Sequence, residues 1–325
     1  MRPDRPSGRS PAQIADHNSR TLLEALRRAG SLTRNDLSAQ LGLSIPGITN
    51  ITRRLLDDGL ITETRRKTAS ALVPTTHYAL DPDGGFAIGL RQRGAKWDGI
   101  LIDVTGNIRT RQTGDDESKL ITSLAARSAD RSRLAGIGIA GEGGYGALSE
   151  SPIVAGTLAE WSADPVAAAS GLAVVLIEDE ISAGFFFHGR PFAGVHQRAG
   201  RLGEMRTGSD RRRLNDVGSA TAFARVAAGE IDATAWIEDA ARHLMDAILA
   251  FTGFFGAARV AIAGDLPTEV VRELIDAMVR LNAEREREAT ALDLPTIAAA
   301  RYGPDSVLVG AAMVPFFQKL LPGPG

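Results

Sequence analysis

The chain has 325 residues, long enough for two or three domains, and it contains no cysteine, which excludes disulfides and thiolate metal sites. Hydrophobic residues make up 44% and charged residues 23%, and no apolar run resembles a membrane span or an export signal, so we expect a globular, cytoplasmic protein. The net charge of −2 hides an asymmetry: residues 1–80 carry 12 Lys and Arg against 7 Asp and Glu, a balance that favours nucleic-acid binding.

The chain opens with an Arg-, Pro- and Ser-rich segment, residues 1–11, that we expect to form a disordered arm. Residues 14–29 have the spacing of an amphipathic helix that ends at Gly30. Its inner stripe consists of Ile14, Leu22, Leu23 and Leu26. This helix would complete the core of a small three-helix domain.

Residues 31–60 predict two short helices joined by a tight turn. Ser31 or Thr33 can cap the first helix, and Gly42 ends it. Ser44 opens the second helix, where the following Pro is tolerated in the first turn. This spacing is typical of a helix-turn-helix, although two helices of an ordinary bundle could produce it as well.

The second helix has one apolar stripe, with Ile48, Ile51 and Leu55 at intervals of three and four residues. Its opposite face holds small or hydrogen-bonding residues and two cations, so its backbone can approach a DNA duplex. We expect six of these residues to read or approach bases: Ser44, Pro46, Gly47, Thr49, Asn50 and Arg53. Arg54 is expected to contact a phosphate.

Residues 60–67 and 73–80 predict two strands that flank a basic loop. Directly after a recognition helix, such a hairpin is typical of a wing that touches the sugar-phosphate backbone. Arg65, Arg66 and Lys67 would supply these phosphate contacts, although a solvated charge run is the simpler alternative for the cluster alone. Residues 12–82 are therefore predicted to form a winged helix-turn-helix DNA-binding domain.

Residues 81–85 form a turn-rich joint, after which the pattern becomes that of a mixed α/β body, residues 83–325. Three short strands in a meander come first, and helices and strands then alternate. The predicted strands are 86–90, 97–104, 108–112, 134–140, 173–177, 259–263 and 296–300. The predicted helices are 117–129, 163–170, 181–187, 215–229, 233–255, 268–287 and 306–320.

The apolar strand 173–177 ends in three carboxylates, Glu178, Asp179 and Glu180. Sites in α/β sheets lie at the carboxyl ends of strands, so this position is a candidate site.

Several segments, in this order, resemble the ROK family of bacterial repressors and sugar kinases, and its repressor branch in particular. They are His17-Asn18, Leu41 to Ser44, Gly136 to Gly141, Ser151-Pro152 with Leu158 and Trp161, Leu176 to Glu180, and Gly310 to Ala312. The resemblance implies an α/β, actin-like (ribonuclease-H-like) two-lobed ATPase fold with an N-terminal winged helix-turn-helix domain. It also implies a ligand cleft between the two lobes.

The chain departs from the family's kinases where they handle phosphate. Arg91 and Arg93 stand in the first phosphate loop, and a cation is a poor ligand for magnesium. Asp179 stands in place of an Asn in the acidic motif, Gly264-Asp265 stands in place of a double Gly, and the second Gly-rich loop is absent. We therefore expect no kinase activity, no catalytic residue and no cofactor.

The family's zinc site, one His and three Cys, is also expected to be lost, because Glu204 stands in the His position and no Cys exists. No other metal site is predicted. The positions of the family's sugar contacts are held here by Thr157, Asp179, Glu180, Arg201 and Glu204. These residues suggest a polyol, an amino sugar or a cationic metabolite as ligand, or else a relic cleft in a body that serves only for dimerisation.

The sequence thus predicts a transcriptional repressor of ROK type, a homodimer or tetramer that binds a double-stranded DNA operator. A sugar-like effector would control it, and its targets would serve sugar or related carbon metabolism. Two alternatives stay open at this stage. One is a sugar kinase with an appended DNA-binding head, and the other is a DNA-binding protein without an effector.

Overall fold

The computed structural model describes residues 11–66, 74–141, 147–187, 189–192, 194, 199–288 and 295–324. The predicted arm, apart from Pro11, lies outside these ranges, and so does Lys67. No helix in the described ranges is both long enough and apolar enough to cross a membrane.

The N-terminal head consists of three helices and a three-stranded sheet. They are α1 (Pro11–Ala29), β1 (Leu32–Thr33), α2 (Arg34–Leu41), α3 (Ile45–Asp57), β2 (Ile61–Arg66) and β3 (Thr75–Leu80). The predicted helices and hairpin are confirmed, whereas β1, which pairs with β3, was not foreseen. The Thr33 hydroxyl accepts from the backbone N–H of Asp36, and the Asp36 carboxylate accepts from the N–H of Thr33, so a capping box starts α2.

Lobe 1 of the body is a five-stranded sheet with helices packed on it. Its strands are β4 (Phe86–Arg93), β5 (Lys96–Asp103), β6 (Ile108–Gly114), β7 (Leu134–Ala140) and β8 (Leu148–Glu150). Its helices are α4 (Glu117–Ala125) and the C-terminal α11 (Ser306–Lys319), while α5 (Pro152–Ala163) lies between α11 and the sheet of lobe 2. Residues 138 and 310 must be Gly because a Cβ there would overlap the carbonyl oxygens of Ala311 and Ala155, where α11 packs on β7 and α5.

Lobe 2 is a second five-stranded sheet with its own helices. Its strands are β9 (Leu172–Ile177), β10 (Ile181–Phe187), β11 (Arg190–Phe192), β14 (Arg259–Gly264) and β15 (Thr296–Ala299). Its helices are α6 (Pro165–Ala169), α7 (Leu214–Gly218), α8 (Ala220–Ala227), α9 (Ala233–Phe255) and α10 (Thr268–Glu288). A two-stranded ribbon, β12 (Arg206–Thr207) and β13 (Arg212–Arg213), precedes α7.

Both lobes have the same topology. The strand order is β6-β5-β4-β7-β8 in lobe 1 and β11-β10-β9-β14-β15 in lobe 2, so the first strand of each lobe lies at the centre of its sheet. In each sheet the first three strands are antiparallel neighbours and the fourth runs parallel to the first. This duplication is the predicted pair of ribonuclease-H-like halves.

Two expectations for the body were wrong or incomplete. Residues 181–187 form a strand, not a helix, because Glu178 to Glu180 make a tight loop that returns the chain antiparallel to β9, with Ile181 opposite Ile177. The aromatic side chains of Phe185 and Phe186 favour the pleated arrangement. The sequence interpretation also missed α5, which Ser151 caps by accepting from the N–H of Val154.

The head is packed firmly on lobe 1. One apolar cluster runs without a break from Leu22, Leu26 and Tyr78 of the head to Ile100 and Phe316 of the body. Polar contacts reinforce it, with an Arg133 Nη1 donating to the carbonyl oxygen of Gly59 at 2.7 Å and Arg27 donating to that of Ser162. The head is therefore attached mainly to lobe 1, and through the Ser162 carbonyl also to α5.

Candidate nucleic-acid interface and ligand cleft

Helix α3 is fixed in the head by its apolar stripe. Ile48, Thr52 and Leu55 are at most 2% exposed, and the Thr52 hydroxyl bonds back to the Ile48 carbonyl at 2.9 Å. Ser44 caps the helix by accepting from the N–H of Gly47 at 3.3 Å. This anchoring determines which face of α3 is turned outward.

The outward face carries the side chains that the sequence predicted for base contacts. Ser44, Pro46, Asn50 and Arg53 are exposed, while Gly47 and Thr49 are half-buried. The Thr49 hydroxyl donates to the Ile45 carbonyl at 2.9 Å, so its methyl group is the part left for a partner. Within the described residues, Asn50 and Arg53 have no hydrogen-bond partner, and their polar groups are available to a ligand.

Arg54 is exposed, but it is tied to the head itself. One of its guanidinium nitrogens donates to the Ser19 hydroxyl of α1. The side chain therefore lies along the α1 side of α3, where it connects the two helices.

The wing presents its two described arginines on different sides. Arg65 lies opposite Thr76 and Arg66 opposite Thr75, and consecutive strand residues point to opposite faces of a sheet. Every residue from Thr62 to Arg66 is exposed. Arg65 shares its face with the buried Tyr78, so Arg66 is on the outer face of the hairpin.

One residue of this surface was missed by the sequence interpretation. Ile45, at the first turn of α3, is 42% exposed even though it is a large apolar residue. The signal was its place directly after the capping Ser44. An apolar side chain at this end of a recognition helix is suited to contact the methyl group of a thymine.

The body contains a cleft of about 820 Å³ between the two lobes. Its walls include the end of β4, the start of α5, the β9–β10 loop, and the residues that follow β14. Strands β4, β9 and β14 all reach the cleft at their carboxyl ends, as expected for a site in α/β sheets. A volume of this size can enclose a small metabolite.

Two arginines of lobe 1 bridge this cleft to carboxylates of lobe 2. Arg91 makes a two-pronged ion pair with Glu178, with Nη2 and Oε2 2.6 Å apart, and both side chains are close to one-eighth exposed. Arg93 pairs with Asp265 at 2.5 Å and lies 4.0 Å from Glu178. The bond to Asp265 is the main reason that the pKa of the Arg93 guanidinium lies above its ordinary value. We call these four residues the inter-lobe latch.

The latch does not suit a nucleotide with its metal. Glu178 and Asp265 are the latch carboxylates at this end of the cleft, and guanidinium groups already neutralise both. A magnesium ion could bind these carboxylates only by displacing the guanidinium groups. The latch residues therefore do not fit a nucleotide with its bound magnesium ion.

Four of the five predicted ligand residues line the cleft: Asp179, Glu180, Arg201 and Glu204. Asp179 accepts from the Thr221 hydroxyl at 3.2 Å, and Glu204 pairs with Arg213 at 2.6 Å. The cleft also contains Asn215, which sequence reasoning missed. Its Oδ1 accepts from the N–H of Ile181 at 2.7 Å, so it holds the start of β10 in place.

Thr157 does not line the cleft, contrary to expectation. Its side chain is fully buried on the inner face of α5, against Gly184 of β10, and its hydroxyl donates to the Ile153 carbonyl at 2.7 Å. The resemblance to the family's sugar contacts could not show which face of α5 the residue occupies, because α5 itself was not predicted.

The loop after Glu204 is held by an arginine. Arg212 on β13 donates to Asp210 and Asp239, and an Nη2 lies 3.2 Å from Nε2 of the buried His243. In the described ranges, no three metal-ligating side chains lie together in a cluster that could hold an ion. A guanidinium at the centre of these groups would repel a metal cation.

Comparison with known proteins agrees with this arrangement. Residues 16–62 match a family model described as winged helix-turn-helix DNA-binding, a range that runs from α1 to the first residues of β2. The head thus has the winged helix-turn-helix fold that this family model describes, and it is joined to a two-lobed, actin-like body.

Solved structures match either nearly the whole chain or a large part of it. The chain is similar to a ROK family transcriptional regulator, a homologue of the E. coli MLC protein, with a TM-score of 0.64 and 20% identity over 94% of this chain and 96% of that one. A ROK family glucokinase from Streptomyces griseus, in complex with glucose and AMPPNP, matches with a TM-score of 0.54 and 15% identity over 71% and 99%.

A curated relative, the uncharacterized protein y4fQ of Sinorhizobium fredii, is 23% identical over 94% of this chain and 92% of its own length. At such identities the likeness establishes the fold. The chain has the fold of these structures, with a winged helix-turn-helix head on a two-lobed, actin-like body, and the predicted fold class is confirmed.

Proposed function

We propose that the protein is a transcriptional repressor of ROK type, in which residues 12–82 bind operator DNA and residues 83–325 sense a ligand and dimerise. The observation that carries this proposal is the outward face of α3. It is polar and exposed, it includes Asn50 and Arg53, and it stands beside an exposed wing with Arg66. A helix of this kind can enter a major groove while the wing contacts phosphates.

In the proposed complex, residues of the α3 face approach bases: Ser44, Pro46, Gly47, Thr49, Asn50, Arg53 and Ile45. Arg54, Arg65, Arg66 and Lys67 neutralise phosphates. Arg66 is expected to contribute more than Arg65 because it is on the outer face of the hairpin. The two classes of contact have separate signatures, since base contacts set sequence preference and phosphate contacts set salt dependence.

We further propose that the body does not phosphorylate sugars. Its acidic loop is engaged by the latch, which occupies the end of the cleft where phosphate groups would need free cations and a metal. An ATPase assay coupled to a panel of sugars should give no turnover above that of a heat-denatured sample. Turnover that depends on a sugar would overturn this part of the proposal.

The effector, on this proposal, is a sugar-like or cationic small molecule that binds in the cleft. Asp179, Glu180 and Arg201 are exposed there and offer acceptors and one cation to hydroxyl or amino groups. Because the head is attached mainly to lobe 1, a ligand that favours one lobe arrangement would change the spacing of two heads in a dimer. It can do so only to the extent that it binds the two arrangements with different affinity.

The test begins with genomic DNA fragments captured by the purified full-length chain and footprinted to define the operator. Asn50→Ala should then relax preference at particular base pairs, by about 5- to 150-fold for a contact worth about 1–3 kcal/mol. Arg66→Ala should weaken all sequences alike and reduce the salt slope by about one. Arg225→Ala, which changes an exposed arginine of α8 in the body, is the matched control and should change neither. Unchanged binding in both head variants would refute the proposal.

A further inference from the structure

Helix α1 of the head rests on the carboxyl ends of two helices of the body. Arg27 donates to the carbonyl oxygen of Ser162, in the last turn of α5. Arg20 donates to the carbonyl oxygen of Phe317, in the last turn of α11, at 3.3 Å. The last four carbonyl groups of a helix have no acceptor role within it, and the negative end of the helix dipole favours cations. Both arginines therefore have a physical reason to stay on these helix ends.

The two arginines form two separate points of attachment. They are seven residues apart on α1, which places them on one face of the helix and about 10 Å apart along its axis. Glu24 holds Arg27 in position, since its two carboxylate oxygens accept from Nε and Nη2 of Arg27 at 2.8 Å each. These two side chains are only 6% and 15% exposed. A displacement of one helix end relative to the other would therefore tilt α1.

The end of α11 is bound to lobe 1. The carbonyl oxygen of Ala311 packs against Gly138 of β7, and that of Leu308 packs against Gly89 of β4, so closely that neither glycine could carry a Cβ. Helix α11 is thus fixed on the sheet of lobe 1, and the attachment through Arg20 moves with that lobe.

The end of α5 is bound to lobe 2. The Glu160 side chain is 1% exposed, accepts from the backbone N–H of Arg301 at 2.6 Å and lies 3.5 Å from the guanidinium of Arg259 on β14. The ring of Trp161 stacks on Phe186 of β10 with 5.4 Å between centroids. A buried carboxylate is destabilised when it loses its partners, so this end of α5 should stay with lobe 2 when the lobes move apart.

The other end of α5 reaches the cleft. Pro152 and Ile153, in its first turn, line the cleft together with Arg91 and Glu178 of the inter-lobe latch. Residues 155–160 are all buried, and a helix enclosed in this way moves as one piece, here about 18 Å long. One enclosed helix therefore runs from the latch to the head.

The ends of α5 and α11 meet beneath α1. The rings of Trp161 and Phe317 lie edge to face there, with 5.3 Å between centroids. Packed helices can slide by small shear movements at apolar contacts of this kind. The two attachment points of α1 can thus be displaced relative to each other without unfolding either helix.

We propose that α5 transmits the state of the inter-lobe latch to the head. Opening the latch shifts the end of α5 against the end of α11, and α1 tilts because Arg27 follows one helix end and Arg20 the other. The proposal names a route of regulation for the cleft, and it rests on the proposed function in one respect. A tilt of the head can regulate transcription only if the head binds DNA.

The direct test measures distances within the full-length chain in the absence of DNA. Because the chain has no cysteine, spin labels can be attached at single introduced thiols without background labelling. Ala39→Cys in α2 reports on the head, Ser123→Cys in α4 on lobe 1, and Val279→Cys in α10 on lobe 2. All three positions are exposed. Electron–electron double resonance on pairs of labels then gives the head–lobe 1 and the lobe 1–lobe 2 distances.

The latch is opened by the double variant Arg91→Ala, Arg93→Ala, which we call the latch variant. It leaves Glu178 and Asp265 without their cations, and opening of the cleft hydrates these carboxylates. The latch variant should shift both the lobe 1–lobe 2 and the head–lobe 1 distance by about 2 Å or more. An unchanged head–lobe 1 distance would overturn the proposal, because it would show that the head is fixed to lobe 1 alone.

Removing the Arg27 contact should uncouple the head from the latch. Arg27→Met combined with Glu24→Gln removes the donor to the Ser162 carbonyl without leaving a buried carboxylate unpaired. Added to the latch variant, this change should abolish the shift of the head–lobe 1 distance and preserve the shift between the lobes. Arg28→Met, at an exposed arginine of the same helix, is the matched control and should preserve both shifts. A head that still moves without the Arg27 contact would contradict the proposed route.

Glu160→Gln tests the same route from the side of the body and leaves the head unchanged. The amide has the size of the carboxylate but lacks the charge that faces Arg259. Combined with the latch variant, it should remove most of the shift of the head–lobe 1 distance. A shift of full size in this combination would show that Glu160 does not hold the end of α5 to lobe 2, and the proposal would fail.

DNA binding separates this proposal from the proposed function. On the footprinted operator, the latch variant should change the affinity by at least about 5-fold, and the Arg27 change should cancel this effect. If the distances shift as expected but no DNA is bound, the coupling stands and the repressor function fails. If the operator is bound with its normal sequence preference and the head–lobe 1 distance never changes, the coupling fails and the repressor function stands.

Discussion

The inter-lobe latch can be tested by a double-mutant cycle on Arg91 and Glu178. Removing one member of a fully buried pair costs about 3–5 kcal/mol, and an exposed pair contributes about 0.2–1 kcal/mol. The two side chains are 12% and 13% exposed, so the buried limit is the nearer one. Arg93, 4.0 Å from the same carboxylate, partly compensates for a lost Arg91. We therefore expect Arg91→Ala to cost about 2–3 kcal/mol.

The assay is scanning calorimetry of the single variants Arg91→Ala and Glu178→Ala and of the double variant. For a unit of this size, a loss of 1 kcal/mol lowers the melting temperature by about 2–4 °C, so Arg91→Ala should lower it by about 4–12 °C. The double variant should lose less than the sum of the single variants, with a coupling energy of about 1–3 kcal/mol. The coupling should also persist at high salt, because water and ions reach this pair poorly.

The Arg225–Glu230 pair is the matched control. Its side chains are 54% and 56% exposed and 3.0 Å apart, so its cycle should give a coupling of at most about 1 kcal/mol that falls with salt. If the losses in the two single variants add up to the loss in the double variant within about 0.5 kcal/mol, the two residues are not coupled. The account of the cleft as a charge-latched site would then be wrong.

Two further predictions concern stability. Burial raises the pKa of the Glu160 carboxyl above its ordinary value of 4.5. The contribution of this group to stability is therefore present below pH 4.5 and is lost as the pH rises through the folded-state pKa. Glu160→Gln should flatten this part of a profile of melting temperature against pH, and an unchanged profile would refute the assignment. Thr33→Ala should lower the free energy of unfolding by about 0.5–2 kcal/mol, because it removes the capping box of α2. Thr64→Ala, on the exposed wing, should change it by less than about 0.5 kcal/mol. Equal effects of the two variants in urea unfolding would contradict the role of the cap.

The head could be predicted from the sequence because its determinants are local. Two helix starts are marked locally, one by Thr33 with Asp36 and the other by Ser44 with Pro46. Gly42, with a φ of 64°, ends the first of these helices as a left-handed cap. Each signal acts within four residues. The exposed face of α3 follows from the same periodicity that buries Ile48.

The body was harder to predict because its decisive contacts are distant in sequence. The run from Ile181 to Phe187 is compatible with either a helix or a strand, and only its pairing with β9 settles the question. The sequence places Arg91 directly after a predicted strand, but it does not show that its partner Glu178 is 87 residues away on another sheet.

The most direct measurement for the central claim is the base preference of Asn50→Ala beside that of the unmodified chain, on a duplex library built around the footprinted operator. We predict a loss of discrimination confined to one or two base pairs in each half-site, with tight binding to DNA in general retained through Arg66 and its neighbours. An Asn50→Ala variant whose preference equals that of the unmodified chain at every position, together with an equal result for Arg53→Ala, would show that α3 does not read DNA.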